Sequence, residues 1–298
     1  MTHARAALPA ALLLTSACAA IRPPDLATEV DRILESNKGK AIAVAYYDLR
    51  DGSSLFRNEH EVFHAASTMK VPVMLAVFEA VTRGTLRLDQ PVRVVNQFTS
   101  LFDGSPYALD PKDDSDPEVY GWVGTEVPLE TLVRHMIDRS SNLATNNVME
   151  LVRANDVMSL MKRIGANEIK VLRGVEDQKA FDHGMNNTTT AYDLMLIFRT
   201  IGEQKVISAA ASEKMVNILL GQEFKTGIPA GLPEGTRVAH KTGSITRVAH
   251  DAALVFAPDG SAYVLVVLTR GFEKQEEADH VIAEISKDVW RARAARIP

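Results

Sequence analysis

The sequence predicts an α+β fold in which both ends of the chain build one antiparallel sheet and the middle folds as helices. Three observations carry this. A strand–turn–strand pattern stands at 41–59, helical periodicity runs from Ser67 to about residue 222, and strand patterns return at 236–269. Strands and helices are segregated rather than alternating, which argues against a parallel sheet with crossover helices.

In chain order, residues 25–38 place Leu26, Val30, Ile33 and Leu34 on one helical face. AIAVAYYDL (41–49) and SLFRNE (54–59) flank Asp51-Gly52, a dipeptide that accepts the positive φ of a hairpin turn. Helices are expected at 67–83, 129–139, 142–152, 155–164, 189–203 and 207–220, with Gly84 stopping the first. Pro72 lacks an N–H close to the start of that first helix, so an irregular opening turn is expected around Ser67. The strands TRVAHKT (236–242), RVAHDAALVFA (247–257) and SAYVLVVLT (261–269) follow, the last two joined by Asp259-Gly260. A closing helix, about 274–293, repeats Ala278, Val281, Ile282, Ile285 and Val289 at helical spacing. The expected architecture is a five-stranded antiparallel sheet flanked by the terminal helices, with an inserted helical lobe. The sheet lobe takes 21–60 and 226–298, and the helical lobe takes 61–225.

Two segments do not follow these periods. Phe98–Thr125 mixes Pro, Gly, Asp and aromatics and reads as a long loop. Its Asp110, Asp113, Asp114 and Asp116 lack the ligand spacing, central Gly and closing Glu of a calcium loop, so they read as a solvated acidic stretch. Tyr120 and Trp122 are candidates to line a substrate cleft. Residues 1–20 carry Arg5, an apolar run from Ala6 to Leu14 and then small residues, the layout of a secretory signal too short to anchor in a bilayer. Cys18, the only cysteine, is either a lipid-acceptor site or the middle of a small-x-small peptidase site, Ala17-Cys18-Ala19. A secreted or periplasmic protein is expected, touching membrane only through a lipid on Cys18. The net charge of -5 argues against nucleic acid as a partner. His60, His64, His240 and His250 bring no carboxylate motif with them and read as structural or peripheral. No metal or organic cofactor is implied, and a monomer is expected.

The chemistry-bearing residues come in three groups. Ser67-Thr-Met-Lys70 puts a hydroxyl and an amine one turn apart at a helix start. A serine hydroxyl is a weak nucleophile until a neighbouring base takes its proton, and burial beside a second cation keeps a lysine neutral enough to be that base. Ser140-Ser-Asn142 and Lys241-Thr242-Gly243 follow in order, the latter on a strand. A second Ser-x-x-Lys, Ser159 to Lys162, has no such partners after it and is a decoy.

The ordered set resembles the class A serine β-lactamases and the related penicillin-binding proteins. Asn-Thr-Thr-Thr at 187–190 ahead of a helix fits the same pattern, and the resemblance spans the mature chain. It implies Ser67 as nucleophile, Lys70 as its base, and Ser140 as proton relay to the leaving nitrogen. It implies that Asn142 binds the substrate amide, and that Lys241, Thr242 and Ser244 meet a substrate carboxylate. Gly243 would let the strand approach closely, and the N–H groups of Ser67 and Ser244 would form an oxyanion hole. The chain departs from the family in two places. Ser141 stands where class A enzymes usually carry Asp. The Glu-x-x-x-Asn of the deacylating loop is represented only by Glu176, with Ala180 in the Asn position. Glu176 is thus either a water-activating base or a loop carboxylate paired with Arg173 or Lys179. The first alternative implies a β-lactam hydrolase, and the second a D,D-peptidase acting on cell-wall peptides or a β-lactam sensor that stays acylated.

Overall fold

The computed structural model describes residues 25–205 and 207–296. The secretory-signal reading of residues 1–20, Cys18 included, lies outside the described residues. Strands β1 (Ala41–Asp48), β2 (Ser54–Arg57), β3 (Arg237–Ile245), β4 (Val248–Phe256) and β5 (Ala262–Arg270) form one sheet. Its order is β2-β1-β5-β4-β3 and every pairing is antiparallel. The two chain ends meet along β1 and β5, with Val44 opposite Val267 and Ala43 opposite Leu268.

The period of two splits these strands between two cores. Ala43, Ala45, Leu254, Val264 and Val266 face the helical lobe. Val44, Tyr46, Val255, Leu265 and Val267 face the terminal helices α1 (Leu26–Ser36) and α9 (Gln275–Ala294). Both faces are covered, which is why the strands read as nearly unbroken apolar runs rather than alternating ones.

The lobe is built from α2 (Lys70–Thr82), α3 (Leu129–Asp138), α4 (Asn142–Met149) and α5 (Ala154–Arg163). It continues with α6 (Gln178–Asp182), α7 (Ala191–Gly202) and α8 (Ala209–Leu219). Helix α2 is buried at every position from Lys70 to Phe78, as befits a helix apolar all round. The expected irregularity at its start is a 3₁₀ turn over Ala66–Met69. Pro72 falls in the first turn of α2, where its missing N–H has no intrahelical partner to lose. Among the described residues no helix is long and apolar enough to cross a membrane.

Three expectations change. Helix α6 was not visible in the sequence; it is only five residues long, opened by the Asp177 carboxylate accepting from the Ala180 N–H. The acidic loop is not solvated at Asp114 and Asp116, which are 9% and 2% exposed. A run of carboxylates looks the same in sequence whether it faces water or, as here, closes over a helix start. Tyr120 and Trp122 do not line the cavities at Ser67; both pack against the core of the helical lobe.

Candidate active site

Three elements converge. The 3₁₀ turn carries Ser67, the turn before α4 carries Ser140, and β3 carries Lys241–Ser244. Strand β3 runs so close to the Ser67 turn that a Cβ on Gly243 would lie 3.0 Å from the backbone nitrogens of both Ser67 and Thr68. No real side chain sits comfortably that near to backbone, so glycine is required here for space. Cavities of about 300 and 450 Å³ meet at this point, with Ser67, Asn142 and Ser244 in the walls of both. The first also takes in Ser140, Thr242 and Gly243, and the second takes in Glu176, Arg173 and Phe181.

Both lysines are fully buried. Lys70 Nζ donates to the Ser140 carbonyl (2.6 Å), to Asn142 Oδ1 (2.9 Å) and to Ser140 Oγ (3.2 Å). It does not reach Ser67 Oγ in this structure. Lys241 Nζ donates to the same Ser140 Oγ (2.9 Å) and to the Thr242 carbonyl (2.8 Å). Ser140 Oγ therefore sits between two amines. Burial lowers the Lys70 pKa to about 7, against the opposing pull of Asp114 and Glu176. That shift is a net bias of roughly 5 kcal/mol toward the neutral amine relative to a free lysine. Burial first, and then the charge of Lys70, also hold Lys241 well below the ordinary lysine value.

Glu176 belongs to the same cluster. Asn142 Nδ2 donates to Glu176 Oε1 at 3.0 Å, so one amide joins the amine of Lys70 to this carboxylate. Burial raises the Glu176 pKa, partly offset by Lys70. The alternative pairing with Arg173 or Lys179 is not made: Arg173 bonds the carbonyls of Met185 and Gly174, and Lys179 pairs with Asp103. Among the described residues, six that are not glycine have positive φ, and Ala66, Ser140 and Glu176 are three of them. Such conformations cost of order 1–3 kcal/mol each and persist where surrounding structure enforces them, often at functional sites.

Some of the supporting side chains were not legible in the sequence. His64 Nδ1 accepts from the Ala66 N–H (3.0 Å), bracing the residue before Ser67. His250, on β4, sits between two carbonyls, with Nδ1 2.8 Å from that of Ala249 and Nε2 2.9 Å from that of His64, and the Thr269 N–H lies 3.1 Å from Nδ1. Asp251 stands opposite Thr242 in the sheet, is fully buried, and accepts from the Ile228 N–H (2.8 Å) with His240 Nδ1 at 3.0 Å. Its neighbourhood to Lys241 follows from strand pairing, which no local motif announces. His60, by contrast, is exposed and lies beside Glu168.

Burial pushes the His250 pKa down to about 4. The neutral ring is the native form, so its contribution to stability is full above the unfolded value near 6.5. It is lost as pH falls through the folded value. Urea denaturation is expected to show up to roughly 3 kcal/mol of stability lost between pH 7 and pH 4 from this group. A His250→Gln variant should lack that part of the slope.

The profile of the beta-lactamase enzyme family matches residues 25–292, and the chain belongs to that family. It is 23% identical over 282 residues to beta-lactamase VEB-1 of Pseudomonas aeruginosa, covering 89% of each chain. It is 25% identical over 284 residues to the extended-spectrum beta-lactamase PER-1 of the same organism, covering 90% of this chain and 87% of the relative. Solved structures share the fold. PBP-A superposes with a TM-score of 0.77 at 24% identity, over 90% of this chain and 96% of its own. A beta-lactamase from Chitinophaga pinensis DSM 2588 gives 0.78 at 22% identity, over 90% and 99%.

Proposed function

We propose that this protein is an exported serine hydrolase that opens β-lactam rings through an acyl-enzyme on Ser67. The observation that carries the reading is the single cluster in which Lys70, Ser140, Asn142, Lys241 and Glu176 are linked by hydrogen bonds beside Ser67. Lys70, about half of it neutral near pH 7, takes the Ser67 proton in that form as Oγ attacks the amide carbonyl. The carbonyl oxygen gathers negative charge against the N–H groups of Ser67 and Ser244. Ser140 Oγ passes its proton to the leaving nitrogen as the ring C–N bond breaks, and Lys70 returns to Ser140 the proton it took from Ser67. A cavity wall of Thr242, Ser244 and Gly243 takes the substrate carboxylate, with Lys241 behind it. Water then attacks the ester carbon and gives a proton to Glu176; the ester C–O bond breaks, Ser67 Oγ takes that proton back, and Glu176 returns to the carboxylate.

Support comes from family membership and from the place of Glu176 within hydrogen-bonding reach of Asn142. A point mutant of PBP-A has been solved as an acyl-enzyme complex with penicillin G, so this fold accommodates such an adduct. Export through residues 1–20 is part of the reading. The mass of the mature N-terminus distinguishes cleavage near Cys18 from lipidation on it.

The test is intact-protein mass spectrometry after mixing with a penicillin, followed over time. A transient adduct on Ser67 is expected. A permanent adduct would move the protein to the D,D-peptidase or sensor reading, and none at all would remove β-lactams as substrates.

A further inference from the structure

We propose that Asp114 supplies the carboxylate that the second motif lacks at Ser141, and that it positions Asn142 and, through it, Lys70 and Glu176. The proposal rests on the reading of Lys70 and Glu176 as the two bases. Ser141 itself does a neutral job: its Oγ accepts from the Ala144 N–H at 3.1 Å, an ordinary helix cap. It offers no charge. Asp114 arrives from the long loop instead. Its carboxylate accepts from the Asn142 N–H with both oxygens at 3.0 Å and from the Leu143 N–H at 2.9 Å. Tyr120 Oη (3.0 Å) and the Asp116 N–H (3.1 Å) complete the set.

Every partner is a donor, which is the pattern of an ionised carboxylate. Asp114 forms no ion pair among the described residues, so the start of α4 answers its charge. The backbone it grips is that of Asn142. The side chain of Asn142 then has one useful orientation, with Oδ1 toward Lys70 and Nδ2 toward Glu176. The groups that face Lys70 are Asp114 from the loop, Glu176 from the segment before α6, and Lys241 from β3. Of these, Asp114 and Glu176 favour the ammonium. Removing the Asp114 charge lets the Lys70 midpoint fall, and freeing Asn142 loosens the cluster.

The test compares Asp114→Asn with Asp116→Asn. Asp116 is a still more deeply buried carboxylate of the same loop, held by His135 and Arg139. The protein is labelled with 13Cε-lysine, and Lys70 is titrated by NMR, which requires no substrate. The Lys70 midpoint is expected to move to lower pH in Asp114→Asn and to stay in Asp116→Asn. The plateau rate of penicillin acylation should fall about 10- to 100-fold in the first variant only, the cost of a misplaced catalytic group. Should Asp114→Asn not fold, Asp114→Ser, which keeps one acceptor for the Asn142 N–H, is titrated in its place. An unmoved midpoint, or the same change in both variants, would overturn the proposal. A moved midpoint in a protein that penicillin never acylates would uphold Asp114 and overturn the β-lactam reading instead.

Discussion

Ser67→Ala is expected to abolish covalent labelling by a fluorescent penicillin, and Ser159→Ala to leave it unchanged. Both serines precede a lysine by three residues, but their settings differ. Ser67 lies where two cavities meet, beside Gly243 and the buried cluster of Lys70, Ser140 and Lys241. Ser159 sits on α5 with its Oγ bonded to the Asn155 carbonyl. Lys70→Ala should reduce the labelling rate by 10²–10⁴-fold, the range that a positioned general base supplies. The wild-type rate should rise with pH through about 7, because only the neutral amine of Lys70 accepts the proton. Stopped-flow labelling between pH 5 and 9 reads this limb. A Ser67→Ala protein that still labels at the wild-type rate would remove both the nucleophile and its base from the mechanism.

The sheet and the first half of the site were legible because they rest on local patterns. Strands at both chain ends, Asp51-Gly52 between β1 and β2, and Asp259-Gly260 between β4 and β5 all announce themselves within a few residues. Ser67 and Lys70 are one turn apart, and the motif residues around Ser140 and Lys241 keep fixed spacings. What stayed hidden depends on contacts between segments far apart in the chain. Asp114 reaches the start of α4 across the loop, His250 reaches the His64 carbonyl from another strand, and Asp251 meets Thr242 by sheet register. Composition made the acidic loop look solvated. Its geometry makes two of its carboxylates buried acceptors.

In the proposed mechanism Asn142 links the two halves of the reaction, and its bonds give reason to expect that the roles of Lys70 and Glu176 separate on mutation. Each proposed base touches a different atom of the same amide, Lys70 at Oδ1 and Glu176 at Nδ2. Neutralising Glu176 therefore weakens one contact of Asn142 at most, without breaking the one that holds Lys70. The cluster around Ser140 stays intact, because neither Lys70 nor Lys241 bonds Glu176.

Glu176→Gln should accordingly leave acylation of Ser67 largely intact while making the acyl-enzyme long-lived. The ester formed on Ser67 must be attacked by water. Glu176 lines the cavity that contains Ser67 and the Asn142 amide, so a water held there has a carboxylate within reach. Burial raises the Glu176 pKa above the ordinary carboxylate range, which makes it a better proton acceptor than an exposed glutamate. Below that raised value the carboxyl is protonated and cannot act, so deacylation in the wild type should weaken on acidification sooner than for an unperturbed carboxylate. Glutamine keeps the shape and one acceptor for Asn142 Nδ2 but takes no proton. The deacylation rate should fall by 10²–10⁴-fold, as for removal of a general base, with acylation changed severalfold at most. Because Glu176 favours the Lys70 ammonium, the acid limb of acylation should also shift slightly to lower pH in this variant. Time-resolved mass spectrometry of wild type and Glu176→Gln, run side by side with one penicillin, reads both rates. Equal adduct lifetimes would exclude Glu176 as the deacylation base and leave Ser67 chemistry to a peptidase or a sensor.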